Sequence, residues 1–187
     1  MKERLTKSDW IRHGLRTLAD DGPNALRIGS MAVKLKVSRG SFYWHFRDVA
    51  DFRAEILKSW HERTTDRVIR DIESEAEPHR LKHLLRRAFE VERRSDPTGN
   101  EDWAAERAIR SWAAQDADVA VIVASVDAGR VAYIAQLLVA TGLDADRALP
   151  RAAFMYWAYL GRAFVMDPRH SSITNAALYD ISDLFST

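Results

Sequence analysis

The side chains best suited to chemistry lie together in one short segment, residues 37–46, which reads VSRGSFYWHF. The segment offers a hydroxyl, a phenol, an indole and an imidazole, from Ser41, Tyr43, Trp44 and His45. All four groups can donate hydrogen bonds, and Arg39 and Arg47 add a guanidinium at each end. Donors and positive charge in this density recognise a partner by hydrogen bonding and electrostatics, and they do not form a nucleophile with its base.

Helical geometry predicts which of these side chains are exposed. At about 100° per residue, the three consecutive side chains of 43–45 point in three directions, so they cannot all face a core. Phe42 and Phe46 lie about 40° apart on a helix and define its buried side. The opposite side is then centred on Trp44 and Gly40. The alternative is that the large aromatics pack against the next helix and that the segment is only a helical corner.

The preceding residues predict the elements that position this segment. Thr6 and Asp9 have the spacing of a capping box, so a first helix begins after Thr6. Gly and Pro at 22–23 end it. A second helix follows over about 28–35, and Ser38 can cap a third. Two short helices joined by a tight turn, with an earlier helix to pack on, form a helix-turn-helix.

Charge and shape indicate the partner. Residues 1–52 contain ten Lys and Arg against six Asp and Glu, a net charge of +4, whereas the remainder has a net charge of −3. A basic segment of this kind favours a polyanion. A slim helix of about two turns with exposed donors fits the DNA major groove, where its first residues reach base edges and its flanks reach phosphates. Gly40 would allow a close approach.

Residues 26–56, LRIGSMAVKLKVSRGSFYWHFRDVADFRAEI, resemble the signature of the tetracycline-repressor (TetR) family of transcription regulators. The resemblance is strongest over VSRGSFYWHF. It implies an all-α fold, with a helix-turn-helix DNA-binding domain at 1–52 and a larger helical ligand-binding and dimerisation domain at 53–187. It also implies that this body dimerises and holds a small ligand. We therefore expect a homodimer that binds a near-palindromic double-stranded DNA operator and is released by a small-molecule effector, as a repressor, with an activator as the alternative.

The matching positions imply roles for individual residues. The DNA-binding residues implied by the resemblance and by the exposed face are Arg39, Gly40, Ser41, Tyr43, Trp44, His45 and Arg47. The chain departs from the family pattern at the turn, where Lys36 replaces Gly, and at the start of the second helix, where Arg27 and Ile28 replace Thr. It also has Val49 where the family often has Lys. We predict that Lys36 adopts the left-handed backbone conformation that favours Gly.

The body is predicted to consist of helices over about 49–75, 79–94, 118–141, 146–166 and 172–185, with a further helix that starts near Glu101, which makes about nine helices in the chain. Two of them carry apolar faces that could form a four-helix bundle with a second subunit. The predicted dimer-interface residues are Val119, Val123, Val126, Tyr133, Leu137, Phe154, Trp157, Leu160 and Phe164. The alternative is that these residues form the core of a monomer.

The same helices are rich in large aromatic side chains. Those in the region where the family has its cavity are Trp60, Phe89, Trp103, Trp112 and Tyr156, and they are the predicted ligand-pocket residues. For each of them taken singly, core packing is the favoured interpretation. Together they favour a small apolar or aromatic effector.

Other function classes find little support in the sequence. The chain has no Cys, no signal peptide is seen, and the longest apolar runs fall short of a membrane span, so a cytoplasmic protein with no membrane partner is expected. His79 and His83 have a metal-binding spacing but no third ligand, and they are expected to be surface residues. We predict no catalytic residues, no metal and no cofactor.

Three functional hypotheses remain at this point. The first is a ligand-responsive dimeric DNA-binding regulator. The second is a helical small-molecule binding protein without operator binding, and the third is a small helical enzyme. Salt-dependent binding to duplex DNA separates the first from the other two.

Overall fold

The structure is a computed structural model that describes residues 5–89 and 97–161. Within those ranges every regular element is helical, which confirms the predicted all-α class. The α-helices are α1 (Lys7–Asp21), α2 (Ile28–Lys34), α3 (Arg39–Tyr43), α4 (Val49–His61), α5 (Arg67–Glu73), α6 (Arg80–Phe89), α7 (Pro97–Ala113), α8 (Ala117–Ala140) and α9 (Ala145–Gly161). The side chains at 78, 89 and 97–100 lie outside the described part.

Caps explain where the first helices begin. The Thr6 hydroxyl accepts from the Asp9 backbone N–H at 3.2 Å, and the Asp9 carboxylate accepts from the Thr6 N–H at 2.9 Å. These two bonds form the predicted capping box of α1. Asp48 caps α4 by accepting from the Asp51 N–H at 2.7 Å. Helix boundaries near such caps are therefore predictable from sequence.

The boundaries of the later helices agree less closely with the predicted ones. The predicted helix over 49–75 is helical to Glu73, but one turn of π-helix at Glu62–Asp66 separates α4 from α5. α7 begins at Pro97 and not near Glu101, because proline is tolerated in the first turn of a helix. The predicted helix at 172–185 and the end of the one at 146–166 lie outside the described residues.

The chain divides into two compact units. The first comprises Met1–Thr64 with Glu101–Val123, and the second comprises Thr65–Asn100 with Ala124–Thr187. A domain boundary between residues 52 and 53 stays a prediction.

The first unit is built on an aromatic cluster that fixes α3 against α1 and α4. Trp10 meets Phe42 edge-on, with their ring centroids 5.4 Å apart. The ring centroid of Phe42 also lies 5.0 Å from that of Phe46 and 5.4 Å from that of Phe52. All four rings are buried. Because Phe42 touches the three others, the orientation of α3 is set by the core beneath it.

The second unit has an aliphatic core. It contains Ile72, Leu81, Leu85, Leu137, Leu138, Leu143, Ala148, Ala152 and Met155. These residues come from α5, α6, α8 and α9 and the turn before α9. The core therefore joins segments that are far apart in sequence.

One described helix is long and apolar enough to cross a bilayer by length and composition. It is α8, with a mean hydropathy of 1.5 over a window that is 22% buried. The expectation that every apolar run is too short is therefore wrong for this helix. A single such helix is weak evidence for a membrane, since core helices of soluble proteins meet the same criterion.

Candidate nucleic-acid interface

The α3 segment exposes the side that sequence geometry predicts. Ser38 is the N-cap, although its side chain makes no capping hydrogen bond. Phe42 and Phe46 are fully buried, whereas Trp44 is 74% exposed and Tyr43 is 59% exposed. The predicted orientation is therefore confirmed, although α3 ends at Tyr43 and a turn over 44–45 follows it.

The aromatic ring of Tyr43 packs against the ring of its neighbour Phe42. Its ring meets the Phe42 ring edge-on, with centroids 5.5 Å apart. The phenol lies in a groove between α2 and α3. A large exposed aromatic fixed in this way loses little further conformational freedom on binding.

His45 differs from the other predicted contact residues. Its Nε2 lies 2.9 Å from the backbone carbonyl oxygen of Leu5, a contact in which a protonated Nε2 donates. The side chain is half-buried. In this structure His45 ties the segment before α1 to the end of α3, so it positions backbone and does not present both ring nitrogens to solvent.

Arg47 lies just beyond α3 and pairs with the first turn of α4. Its guanidinium is 3.2 Å from Asp51 Oδ1, and its backbone N–H donates to Asp51 Oδ2 at 2.9 Å. The hydrogen bond from the Arg47 backbone N–H is the main cause that lowers the pKa of Asp51 below its ordinary value, and the hydrogen bond from the Arg47 guanidinium is the second. The Arg47 side chain is 86% exposed and remains accessible to a phosphate.

A groove of about 740 Å³ separates the exposed faces of α2 and α3. Its lining residues are Arg27, Ile28, Gly29, Ser30, Val33, Lys34, Arg39 and Tyr43. Arg39 and Tyr43 were predicted site residues, whereas Ser30 and Val33 of α2 were missed. The sequence contains the pattern that predicts their position. Met31 and Ala32 face inward, so residues 30 and 33 of the same helix face outward.

The turn between α2 and α3 has the predicted geometry. Lys36 has a φ of 56° and is the only residue other than Gly in the described ranges with a positive φ. Its N–H donates to the Val33 carbonyl at 3.0 Å, and the Val37 N–H donates to the Ala32 carbonyl at 3.0 Å. The prediction for Lys36 is therefore confirmed. The turn exposes the lysine side chain beside α3.

Two of the predicted ligand-pocket residues are buried in the first unit with their indole N–H groups satisfied. Trp60 Nε1 donates to Glu106 Oε2 at 2.8 Å, and Trp112 Nε1 donates to Asp116 Oδ2 at 3.1 Å. Trp103 is half-buried. The Phe89 side chain lies outside the described residues.

Tyr156 lies in the second unit, within a buried polar network. Its hydroxyl donates to Asp127 Oδ1 at 2.7 Å and accepts from Arg130 Nη1 at 2.9 Å. Arg130 Nε also donates to Thr65 Oγ1 at 2.8 Å. Burial raises the pKa of the Tyr156 phenol. The five predicted pocket residues thus belong to different units, and the structure does not bring them together within one unit.

The predicted dimer-interface residues fall into three groups. Those buried within the single chain are Val119, Val123, Val126 and Leu137. Tyr133 and Leu160 are half-buried, whereas Phe154 and Trp157 are 58% and 66% exposed. Phe164 lies outside the described residues. Val119, Val123 and Val126, the valine stripe of α8, are buried within the single chain. Their helical spacing therefore reflects the core of this chain and not an exposed face.

Other apolar residues of the same helices are exposed instead. They are Val121, Ile122 and Val139 on α8, and Leu149 on α9. Sequence periodicity missed them because α8 is apolar around most of its circumference, so the buried stripe does not stand out from the exposed one.

Two solved structures share the fold of this chain. One is a protein described as a TetR-family transcriptional regulator from Rhodococcus sp., with a TM-score of 0.69, 22% identity and coverage of 100% of both chains. The other is a transcriptional regulator from Rhodococcus sp. Rha1, with a TM-score of 0.68 and 15% identity, over 97% of this chain and 94% of that chain. No protein-family model and no curated protein matches the sequence. At these identities the similarity establishes the fold, which agrees with the resemblance carried by residues 26–56.

Proposed function

We propose that this chain is a DNA-binding transcriptional regulator of the TetR type, which acts in the cytoplasm as a homodimer. The observation that carries the proposal is the outward face of α3, where Trp44 and Tyr43 are exposed while Phe42 and Phe46 are buried beneath them. Neighbouring large aromatic side chains that are exposed together are typical of a binding surface.

Duplex DNA is the partner that the chemistry of this face favours. Arg39 stands at the start of α3, Arg47 follows its end, and the phenol and indole lie between them. Arginine and hydroxyl groups bind phosphates and base edges, and a helix of this width enters the major groove. We assign base-edge or phosphate contacts to Arg39, Ser41, Tyr43, Trp44 and Arg47, with close approach at Gly40 and a supporting role for His45.

A homodimer follows from the small size of the DNA-contacting helix. A helix of one or two turns reads few base pairs, whereas two-fold symmetry doubles the recognised sequence and the buried area. Phe154 and Trp157 of α9 and Val139 of α8 are exposed in the isolated chain. We assign the subunit interface to these exposed residues, because a second copy would cover their apolar surface.

The body is proposed to bind a small apolar or aromatic effector that weakens DNA binding, so that the protein acts as a repressor. The support is the aromatic content of the middle helices, including Trp60, Trp103 and Trp112. An effector can shift the protein away from its DNA-binding state only by its differential affinity for the two states. Saturable quenching of tryptophan fluorescence by a candidate ligand, with no change in operator affinity, would contradict this part of the proposal.

The experiment that tests the proposal is selection of bound fragments from a pool of randomised duplex DNA. The proposed function predicts enrichment of one near-palindromic sequence by the unaltered protein. The Trp44→Ala variant provides a control, because it keeps the core and removes an exposed indole. Failure of the unaltered protein to enrich any sequence above the starting pool would contradict the proposal, and so would equal enrichment by Trp44→Ala.

A further inference from the structure

Gly29, in α2, is in contact with the guanidinium group of Arg39, in α3. A Cβ atom placed on Gly29 would lie 2.9 Å from Arg39 Nη2 and 3.4 Å from both Cζ and Nε. All three of the nearest atoms belong to the guanidinium, so this group lies against the backbone of α2. The glycine thus leaves the space that the guanidinium occupies.

The backbone of Gly29 does not itself require glycine. The described glycines with positive φ are Gly22 and Gly142, and Gly29 is within a regular helix. Alanine is more favourable than glycine in a helix. The feature of the structure that favours glycine at this position is therefore the close approach of Arg39.

The groove around this contact is positively charged. Its lining contains no Asp or Glu, and Lys34 is paired with Asp21 at 2.9 Å. Arg27, on the same groove, is steadied by its Nε, which donates to the Asn24 carbonyl at 3.1 Å. Neither Arg27 nor Arg39 has a carboxylate partner among the described residues. Two planar guanidinium groups facing one groove suit an oxygen-rich anion, because each can donate two parallel hydrogen bonds to it.

We propose that Gly29 is a positioning residue, which seats Arg39 against α2 so that Arg39 and Arg27 together bind one phosphate of the DNA backbone. The proposal rests on the function proposed above and makes it more specific. It assigns Arg39 to phosphate binding and not to base reading, because its guanidinium lies back against α2. A phosphate contact fixes the position of the protein on the duplex without reading its sequence.

The test measures binding of a random-sequence duplex over a range of salt concentrations. Arg39→Ala is expected to weaken binding roughly tenfold, which corresponds to about 1.4 kcal/mol. It should also reduce the slope of log affinity against log salt by about one for each subunit that contacts the duplex. Gly29→Ala should weaken binding roughly fivefold by displacing the flexible guanidinium, which corresponds to about 1 kcal/mol. Its melting temperature should not fall, since alanine favours the helix.

The decisive comparison is the double variant. If Gly29 acts through Arg39, Gly29→Ala adds no loss in the Arg39→Ala background. Arg107→Ala removes an exposed arginine of the same unit that does not line the groove, and it should leave binding nearly unchanged. An equal loss from Gly29→Ala in both backgrounds would overturn the proposal, because the new methyl would then act on DNA directly. No loss from Gly29→Ala in a protein that binds DNA would overturn this proposal alone. Absence of all duplex binding by the unaltered protein would overturn the proposed function as well.

Discussion

At the scale of single residues, Lys36 shows how one dihedral angle joins two helices. Its φ of 56° lies in the left-handed region, where a Cβ is crowded by the following carbonyl. The turn needs this conformation to bring α3 back across α2. The strain is therefore local, and it can be relieved without changing the fold.

Replacing this lysine by glycine should stabilise the protein slightly. Removal of the Cβ relieves roughly 1 kcal/mol of strain, partly offset by the greater freedom of glycine in the unfolded chain. The melting temperature of Lys36→Gly should rise by up to about 2–4 °C. Lys36→Ala, which keeps the Cβ, should show no such rise. A clear fall for Lys36→Gly in a thermal melt would contradict the assigned turn.

Trp44 should affect binding much more than stability. Because the indole is 74% exposed, Trp44→Ala leaves no cavity and should leave the melting temperature nearly unchanged. Affinity for the selected operator should fall clearly. Trp10→Ala is the matched comparison, since this indole is fully buried and its truncation should cost roughly 3–5 kcal/mol. Comparable destabilisation by both variants would show that Trp44 is part of the core.

Residue positions that depend on local spacing could be predicted, and those that depend on distant partners could not. Phe42 and Phe46 are one helical turn apart, so their common burial follows from periodicity alone. His45 instead contacts the carbonyl of Leu5, far back along the chain. No local pattern around His45 contains that partner, so its positioning role could not be predicted.

At the scale of secondary-structure elements, Gly14 determines how closely α1 and α4 pack. A Cβ on Gly14 would lie 2.6 Å from Phe52 Cζ and 2.8 Å from Ile56 Cδ1. Phe52 is itself packed against Phe42 and Phe46, so it cannot move freely. The aromatic cluster under α3 therefore depends on the absence of a side chain at this position.

Gly14→Ala should consequently destabilise the protein despite the better helix propensity of alanine. Overpacking a buried position typically costs about 1–3 kcal/mol. Gly129→Ala is the control, because a Cβ there meets nothing within 4 Å and should stabilise α8 by up to about 1 kcal/mol. Urea unfolding of both variants checks the opposite signs. A stabilised Gly14→Ala would show that the two helices are farther apart than described.

Capped helix starts could be predicted, whereas the exposed face of a uniformly apolar helix could not. Thr6, Asp9 and Asp48 satisfy backbone donors within one turn, so their side chains mark where α1 and α4 begin. The valine stripe of α8 has the correct spacing for a packed face, but spacing does not say whether this chain or a second one covers it. Only tertiary structure identifies Val119, Val123 and Val126 as buried in the single chain.

At the scale of the whole molecule, α9 should carry the contact between two subunits. Trp157→Glu places a charge on an apolar residue that is 66% exposed in the single chain, and it should convert the dimer to a monomer in light scattering at micromolar concentration. Trp44→Glu alters a similarly exposed indole near α3 and should leave the dimer intact. A monomeric unaltered protein, or a Trp157→Glu variant that remains dimeric, would contradict the assigned interface.

The division into units illustrates the limit of prediction at this scale. Residues 101–123 belong to the same unit as 1–64, so the compact units are discontinuous in sequence. Contacts such as that between Trp60 and Glu106 join them, and such pairs leave no periodic signal. The all-α class and the helix-turn-helix follow from local patterns, whereas the grouping of the helices depends on long-range packing.

The central claim is that the outward face of α3 and the arginines around it bind duplex DNA, and the salt dependence of binding tests it most directly. Each phosphate that a Lys or Arg neutralises releases condensed counterions, which contributes about −0.9 to the slope of log affinity against log salt. For a dimer with several phosphate contacts per subunit, we expect a linear plot with a slope of several negative units. Duplex affinity that is unchanged by salt would contradict the account.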